Sequence, residues 1–264
     1  MIFESHAHLL DERFDQDRDE VIKRSLENGI RAVLCVSDTM ETSRESLPLA
    51  DRYPEVFASV GVHPHNAGSF TDDSIKELKE LAMNEKVLAI GEIGLDYYYD
   101  LCEREKQKEV FKKQLQLAKE LSLPVIIHDR EAHMDTLDLL KSIGLHTEGV
   151  LHSYSGSVES ARIFLDMGLY FSFTGVITFK NASRILEVLQ FIPVDRLLLE
   201  TDSPCLAPVP VRGKRNEPGN ITYIADKIAQ IKHIEPFELL DRTWNNSFDL
   251  FKKAVPYREK LEKK

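Results

Sequence analysis

Short β-branched runs and longer amphipathic segments alternate along this chain eight times, and that alternation constrains the fold more than any other feature. The strand-like runs fall at 1–4, 32–36, 56–62, 87–91, 125–128, 149–152, 169–173 and 197–200. Helices are expected at 16–27, 41–53, 72–84, 103–121, 132–143, 158–167 and 182–191, with two more, 221–232 and 236–253, after the eighth strand. In the first helix Val21, Ile22, Ser25 and Leu26 face inward, and Gly29 stands where a left-handed residue ends a helix. The longest places Val110, Phe111, Leu115, Ala118 and Leu121 at helical spacing, opposite lysines and glutamates. Strict alternation implies parallel strands with right-handed crossovers, and eight repeats fit a closed barrel better than an open sheet. The 264 residues match the roughly 250 that a (β/α)8 TIM barrel needs. No Gly/Ser-rich or Pro-rich tract divides the chain, so one α/β domain is expected over 1–255, with a charged, frayed tail over 256–264.

Composition narrows the function classes. The longest apolar runs are far shorter than the ~20 residues of a membrane span. No basic stretch precedes an apolar core at the start, so no secretory leader is expected and the chain is placed in the cytoplasm. Cys35, Cys102 and Cys205 are odd in number and lack a C-x-x-C pattern, which argues against disulfides and against a thiolate metal site. A net charge of -10 disfavours coating long nucleic acid through clustered Lys and Arg. It leaves room for phosphate chemistry at a site where cations are supplied by metals.

The side chains that carry chemistry fall at the C-terminal ends of the expected strands, where functional residues of such barrels sit. His6 and His8 end the first strand, two apart and so on one face. His63 and His65 end the third, Glu92 the fourth, His128 the fifth, His152 the sixth and Asp202 the eighth; only His133, His146 and His233 lie elsewhere. Each alone has an ordinary explanation: a hydrogen-bonded core histidine, a capping Glu92, an Asx turn at Asp202. Together on one rim they form a nitrogen and oxygen donor set suited to Zn, Mn, Fe or Mg in a catalytic site. More than four candidate ligands with a carboxylate able to bridge imply two divalent ions, and a pair with a bridging hydroxide performs hydrolysis. Asp202 can take the proton of the attacking water. A phosphodiester needs cations beyond the metals, and the loop Arg212-Gly213-Lys214-Arg215-Asn216-Glu217-Pro218 on the same rim supplies three.

These motifs resemble a known family. Ser5-His6-Ala7-His8, Gly61-Val62-His63-Pro64-His65, Gly91-Glu92-Ile93-Gly94-Leu95-Asp96-Tyr97-Tyr98, PVIIHDRE from Pro124, His152-Ser153-Tyr154-Ser155-Gly156, LETDSP from Leu199 and the RGKRNEP loop are together similar to the TatD-type metal-dependent deoxyribonucleases, over nearly the whole length. The resemblance implies one metal on His6, His8, Glu92 and Asp202 and a second on Glu92, His128 and His152, with Glu92 and Asp202 catalytic. It implies substrate contacts at His63, Arg130 and Arg212, with Glu200 supporting the site. DNA ends or single strands are the expected substrate, cleaved by a DNase of 3′-5′ exonuclease or related type, with no membrane and no obligate protein partner; a monomer is compatible. The metal-dependent amidohydrolases, lactonases and small phosphate-ester hydrolases that share this barrel are the alternative. The chain departs from the family pattern at Glu4, where Asp is usual, and at Ser153, Tyr154, Cys205 and Val211.

Overall fold

The computed structural model describes residues 1–144 and 149–263; His146 falls outside them. Among the described residues, eight parallel strands close into one barrel in sequence order: β1 (Ile2–Ala7), β2 (Ile30–Cys35), β3 (Val56–Val60), β4 (Val87–Asp96), β5 (Val125–Arg130), β6 (Gly149–Leu151), β7 (Tyr170–Phe173) and β8 (Leu197–Leu199). Between them run α1 (Arg18–Glu27), α2 (Met40–Arg52), α3 (Asp72–Leu81), α4 (Arg104–Leu121), α5 (His133–Ile143), α6 (Val158–Asp166) and α7 (Ser183–Phe191). After β8 come α8 (Ile221–Lys232), α9 (Pro236–Leu250) and α10 (Arg258–Glu262). The expected TIM barrel is what forms.

Local chemistry explains where the helices begin and end. Thr39, Thr71 and Ser157 each accept the backbone N–H three residues on, and that residue's hydroxyl caps back, at the starts of α2, α3 and α6. Such a cap stabilises a helix by about 1 kcal/mol. Gly29, just beyond α1, is left-handed at φ +85°.

Residues alternate between two apolar layers, as strand geometry requires. Ile2, Val33, Val56, Ile90 and Ile127 pack into the layer beneath the surrounding helices. Phe3, Leu34, Phe57, Leu88, Ile126, Val150 and Leu198 join Trp244, Phe248 and Phe251 in a second cluster that fills the N-terminal end of the barrel. There Phe3 stacks on Phe57 at 6.1 Å and on Phe251 at 5.7 Å and meets the edge of Phe248 at 5.8 Å. One mouth is thus plugged with aromatic rings, and polar side chains concentrate at the other.

Three strands run beyond the apolar stretches that mark them. β1 continues to Ala7, β4 to Asp96 and β5 to Arg130, because ladder pairing depends on the backbone and persists through the polar residues facing the mouth. Ile93, Gly94, Leu95 and Asp96 pair with Ile127, His128, Asp129 and Arg130. The pairing requires glycine at position 94: its φ is +149°, and a Cβ there would lie 1.9 Å from the His128 carbonyl oxygen. β3 stops early, at Val60, so His63 and His65 sit in the turn beyond it. The tail expected to fray instead carries α10: Leu261 is buried, Tyr257 sets its ring against Phe57 at 5.4 Å, and Trp244 donates to Glu262 Oε1 at 3.0 Å. Two apolar side chains within a charged stretch suffice to dock it. No described helix is long and apolar enough to cross a membrane.

Candidate active site

Glu92 stands at the centre of the open mouth, 2% exposed, and its two oxygens face different neighbours. Oε2 lies 3.3 Å from His6 Nε2 and 3.4 Å from His8 Nε2. Oε1 lies 2.8 Å from His128 Nδ1, 2.8 Å from His152 Nε2 and 3.5 Å from His63 Nε2. Asp202 Oδ1 approaches His8 Nε2 at 3.4 Å and His6 Nε2 at 3.8 Å. Donor atoms come within 4.8 Å of one another in three sets: His6, His8 and Glu92; His63, Glu92 and His128; His6, His152 and Asp202. The sequence-predicted metal residues therefore all converge. His63, expected at the substrate, stands among them, and His152 spans both sides of Glu92.

The seam between first and last strands fixes half of this geometry. Glu4 Oε1 accepts the N–H of His6 at 3.1 Å and of Thr201 at 2.9 Å, and Ser5 Oγ donates to the Leu199 carbonyl at 2.9 Å. Asp202 N–H donates to the His6 carbonyl at 3.0 Å, which turns the left-handed Asp202 toward the histidines. Burial pushes the Glu4 carboxyl well above the usual range.

Outward-facing partners orient the imidazoles. His8 Nδ1 lies 3.1 Å from the Val36 carbonyl, which can only accept, so that nitrogen carries the proton. His128 Nε2 lies 3.0 Å from Asp96 Oδ2, and Glu200 Oε2 lies 3.9 Å from His6 Nδ1 and 3.4 Å from His152 Nδ1. Glu200 Oε2 and both of those Nδ1 atoms are buried without a hydrogen-bond partner, while Glu200 Oε1 accepts Ser153 N–H. A carboxylate or carbonyl behind each ring, with the other nitrogen turned inward, is the arrangement that fixes metal-binding histidines. Asp96 went unassigned in the sequence, yet it lies four residues after Glu92 and so on the same strand face, a spacing that could have revealed it.

The inward atoms are acceptors crowded on acceptors: His6 Nε2 is 3.2 Å from His8 Nε2, and His128 Nδ1 is 3.4 Å from His152 Nε2. Protons or cations must lie between them. Burial opposes charge on His8, His128 and His152, but Asp202 and Glu92 raise His8, Asp96 and Glu92 raise His128, and Glu92 and Glu200 raise His152. Burial would likewise raise Glu92, yet His152, His63 and His6 outweigh it and hold that carboxyl well below its ordinary value. Burial lowers His6 and lowers His63 strongly. The ionised carboxylates bind divalent ions directly, and such ions would displace the protons that the carboxylates draw onto His8, His128 and His152, so the residues present fit them.

The mouth opens into a cavity of about 840 Å³ that includes Arg130 in its wall. Arg212 lies outside it, with its guanidinium 4.1 Å from the Phe179 ring centroid. Of the loop's three cations, Arg215 is committed elsewhere: it holds both Asp17 oxygens at 2.7 Å and Glu217 at 2.9 Å. Buried Asn216 donates to the carbonyls of Thr201 and Cys205, fastening the loop behind Asp202. Much of RGKRNEP is therefore structural.

A family model described as TatD related DNase matches residues 3–252. The chain belongs to that family. It is 42% identical over 253 residues to the "Uncharacterized metal-dependent hydrolase YabD" of Bacillus subtilis strain 168, covering 96% of this chain and 99% of that one. It is 36% identical over 262 residues to the "3'-5' ssDNA/RNA exonuclease TatD" of Cronobacter sakazakii, covering 97% and 100%. Among solved structures, YJJV, a TatD homolog from Escherichia coli K12, superposes with a TM-score of 0.90 at 30% identity, covering 95% of this chain and 98% of that one.

Proposed function

We propose that this TatD-family chain is a two-metal phosphodiesterase that shortens single-stranded DNA from an end. The partition of Glu92 carries the reading: one oxygen toward His6 and His8, the other toward His63, His128 and His152. His6, His8, Glu92 and Asp202 would hold one ion, and Glu92, His128 and His152, with His63 beside them, the other. Divalent ions bound there lower the pKa of water and neutralise charge developing on a phosphoryl group. Asp202, which burial would raise but His8, His152 and His6 keep ionised, accepts the proton of the attacking water at its carboxylate. Arg130, at the cavity wall, orients the phosphate. The family membership and the relatives named as exonucleases support DNA as substrate.

The test is digestion of 3′-labelled and 5′-labelled single- and double-stranded oligonucleotides, with a chelator-treated sample and Glu92→Ala alongside. Stepwise shortening from the 3′ end that requires both metal and Glu92 is the expected result. Turnover of lactones or dihydropyrimidines without oligonucleotide cleavage would overturn the nuclease reading and move the activity to small-molecule hydrolysis.

A further inference from the structure

Beside the metal-site cavity lies a second one of about 610 Å³, and Arg130 and Ser155 line both. Its walls come from the turn after β4, the segment leading into α5, and Arg184 near the start of α7. The geometry points to this cavity as the seat of the nucleotide next to the scissile phosphodiester: Arg130 and Arg184 hold its phosphate and Tyr98 stacks on its base. The inference rests on the nuclease reading and adds to it a residue set for strand recognition.

Three observations lead there. In a chain of net charge -10 several arginines are neutralised: Arg24, Arg44, Arg104 and Arg215 each sit on a carboxylate. Among the described residues, Arg130 and Arg184 make no ion pair. Of the two acids in the same walls, Asp135 is committed to the Tyr97 hydroxyl at 2.6 Å and Lys108 at 3.1 Å, leaving Glu131 against two arginines. Unpaired guanidinium groups in a shared wall are suited to a second phosphate on the strand.

The second observation is an exposed aromatic surface. Tyr98 and Tyr99 are each 55% exposed, although burial would remove their apolar rings from water. The Arg130 guanidinium lies 4.0 Å from the Tyr98 ring centroid and 4.7 Å from that of Tyr99. A guanidinium on a tyrosine ring is a platform for sequence-tolerant base stacking.

The third is rigidity relative to the metal site. Asp96 Oδ1 accepts the N–H groups of Tyr98 at 3.0 Å and Tyr99 at 2.8 Å, while Oδ2 of the same carboxylate faces His65 and His128. One carboxylate thereby sets both an imidazole of the metal site and the turn that presents the rings. The bond from Tyr97 to Asp135 joins that turn to α5, and Asp129 Oδ2 holds His133 Nδ1 at 2.7 Å in the adjoining wall. The platform is held ready for a strand passing out of the metal site over Arg130.

The experiment compares kcat/KM of the metal-loaded protein on a single-stranded oligothymidylate and on bis(4-nitrophenyl) phosphate, a phosphodiester with no neighbouring nucleotide. Arg184→Ala and Tyr98→Ala are each expected to lower the oligonucleotide value about ten-fold or more beyond any change on the reporter, chiefly through KM. Tyr98→Phe, which keeps the ring, is expected to restore it. Equal losses on both substrates, or no loss on the oligonucleotide, would overturn the subsite. If the unsubstituted protein cleaves the reporter and no oligonucleotide, the nuclease reading fails by itself. The subsite is then judged by anisotropy of fluorescent oligothymidylate on the metal-loaded protein: about ten-fold weaker binding to Arg184→Ala sustains it, and equal binding overturns it.

Discussion

Replacing Asp96 by Asn tests whether the metal site depends on a carboxylate that touches no inward-facing atom. Asp96 is fully buried and accepts four hydrogen bonds, from His65 and His128 through Oδ2 and from Tyr98 and Tyr99 N–H through Oδ1. Burial would raise its carboxyl, but His128 and His65 hold it far below the usual range. Asn retains an oxygen for the two amides and turns an NH2 group toward the two imidazoles. His128 then either meets a donor with a donor or moves its proton to Nδ1, the nitrogen facing Glu92. Loss of one charge-assisted hydrogen bond costs about 1.5–3 kcal/mol, which converts to about 10- to 150-fold in binding. That agrees with the roughly 10- to 100-fold typical of residues behind a metal-bound histidine. The assay is competition for metal against a chromophoric chelator at neutral pH, with circular dichroism establishing that the variant is folded. A folded Asp96→Asn protein whose metal affinity lies within about two-fold of the unsubstituted protein would refute the orienting role.

Other parts of the structure make further claims on experiment. Arg215→Ala removes a two-pronged pair with Asp17 that is partly screened by solvent, and about 1 kcal/mol of stability should be lost in urea titrations at neutral pH. Arg215 first and Arg24 second lower Asp17 from 3.8 to about 2, so the pair's contribution is present above pH 3.8 and disappears as pH falls toward 2. The substituted protein should show a flatter acid limb in that window, and an unchanged limb would count against the pairing. Leu261→Ala should destabilise by about 2 kcal/mol and lower the thermal midpoint by several degrees, whereas a dangling tail would leave it unmoved. Stripping metal with a chelator should lower the midpoint as well, since free metal at about 100 times its dissociation constant contributes about 2.7 kcal/mol; an unshifted melt would deny the site its ions.

The barrel was legible because its strands are buried on both faces and read as unbroken apolar runs, such as Val87 to Ile90. The rim was legible because histidines and carboxylates at strand ends have no packing reason to recur. Strand ends were misplaced where function interrupts the apolar pattern: β4 passes through Glu92 and two glycines to Asp96, and hydropathy cannot follow it there. Arg215 and Arg212 look alike in sequence, yet one is bound to Asp17, just before α1 and nearly two hundred positions away, and the other stacks on Phe179. Partner choice among charged side chains depends on tertiary position, which local spacing does not encode. Tyr98 and Tyr99 were hidden for the same reason, because only the fold places them over Arg130.

The seam between β1 and β8 bears on how the molecule comes into being. His6 lies on the first strand, His8 just past it and Asp202 just past the last, and the contacts joining the two ends of the sheet span 194 positions from Ser5 to Leu199. Closing so long a loop is a late event in folding, after nearby strands and helices have paired. A nascent chain that has emerged through β7 can assemble most of the sheet, but Asp202 cannot yet complement the two histidines. Completion of the candidate site is thus tied to the step that seals the cylinder, and a partly folded chain with abundant secondary structure still lacks a finished centre.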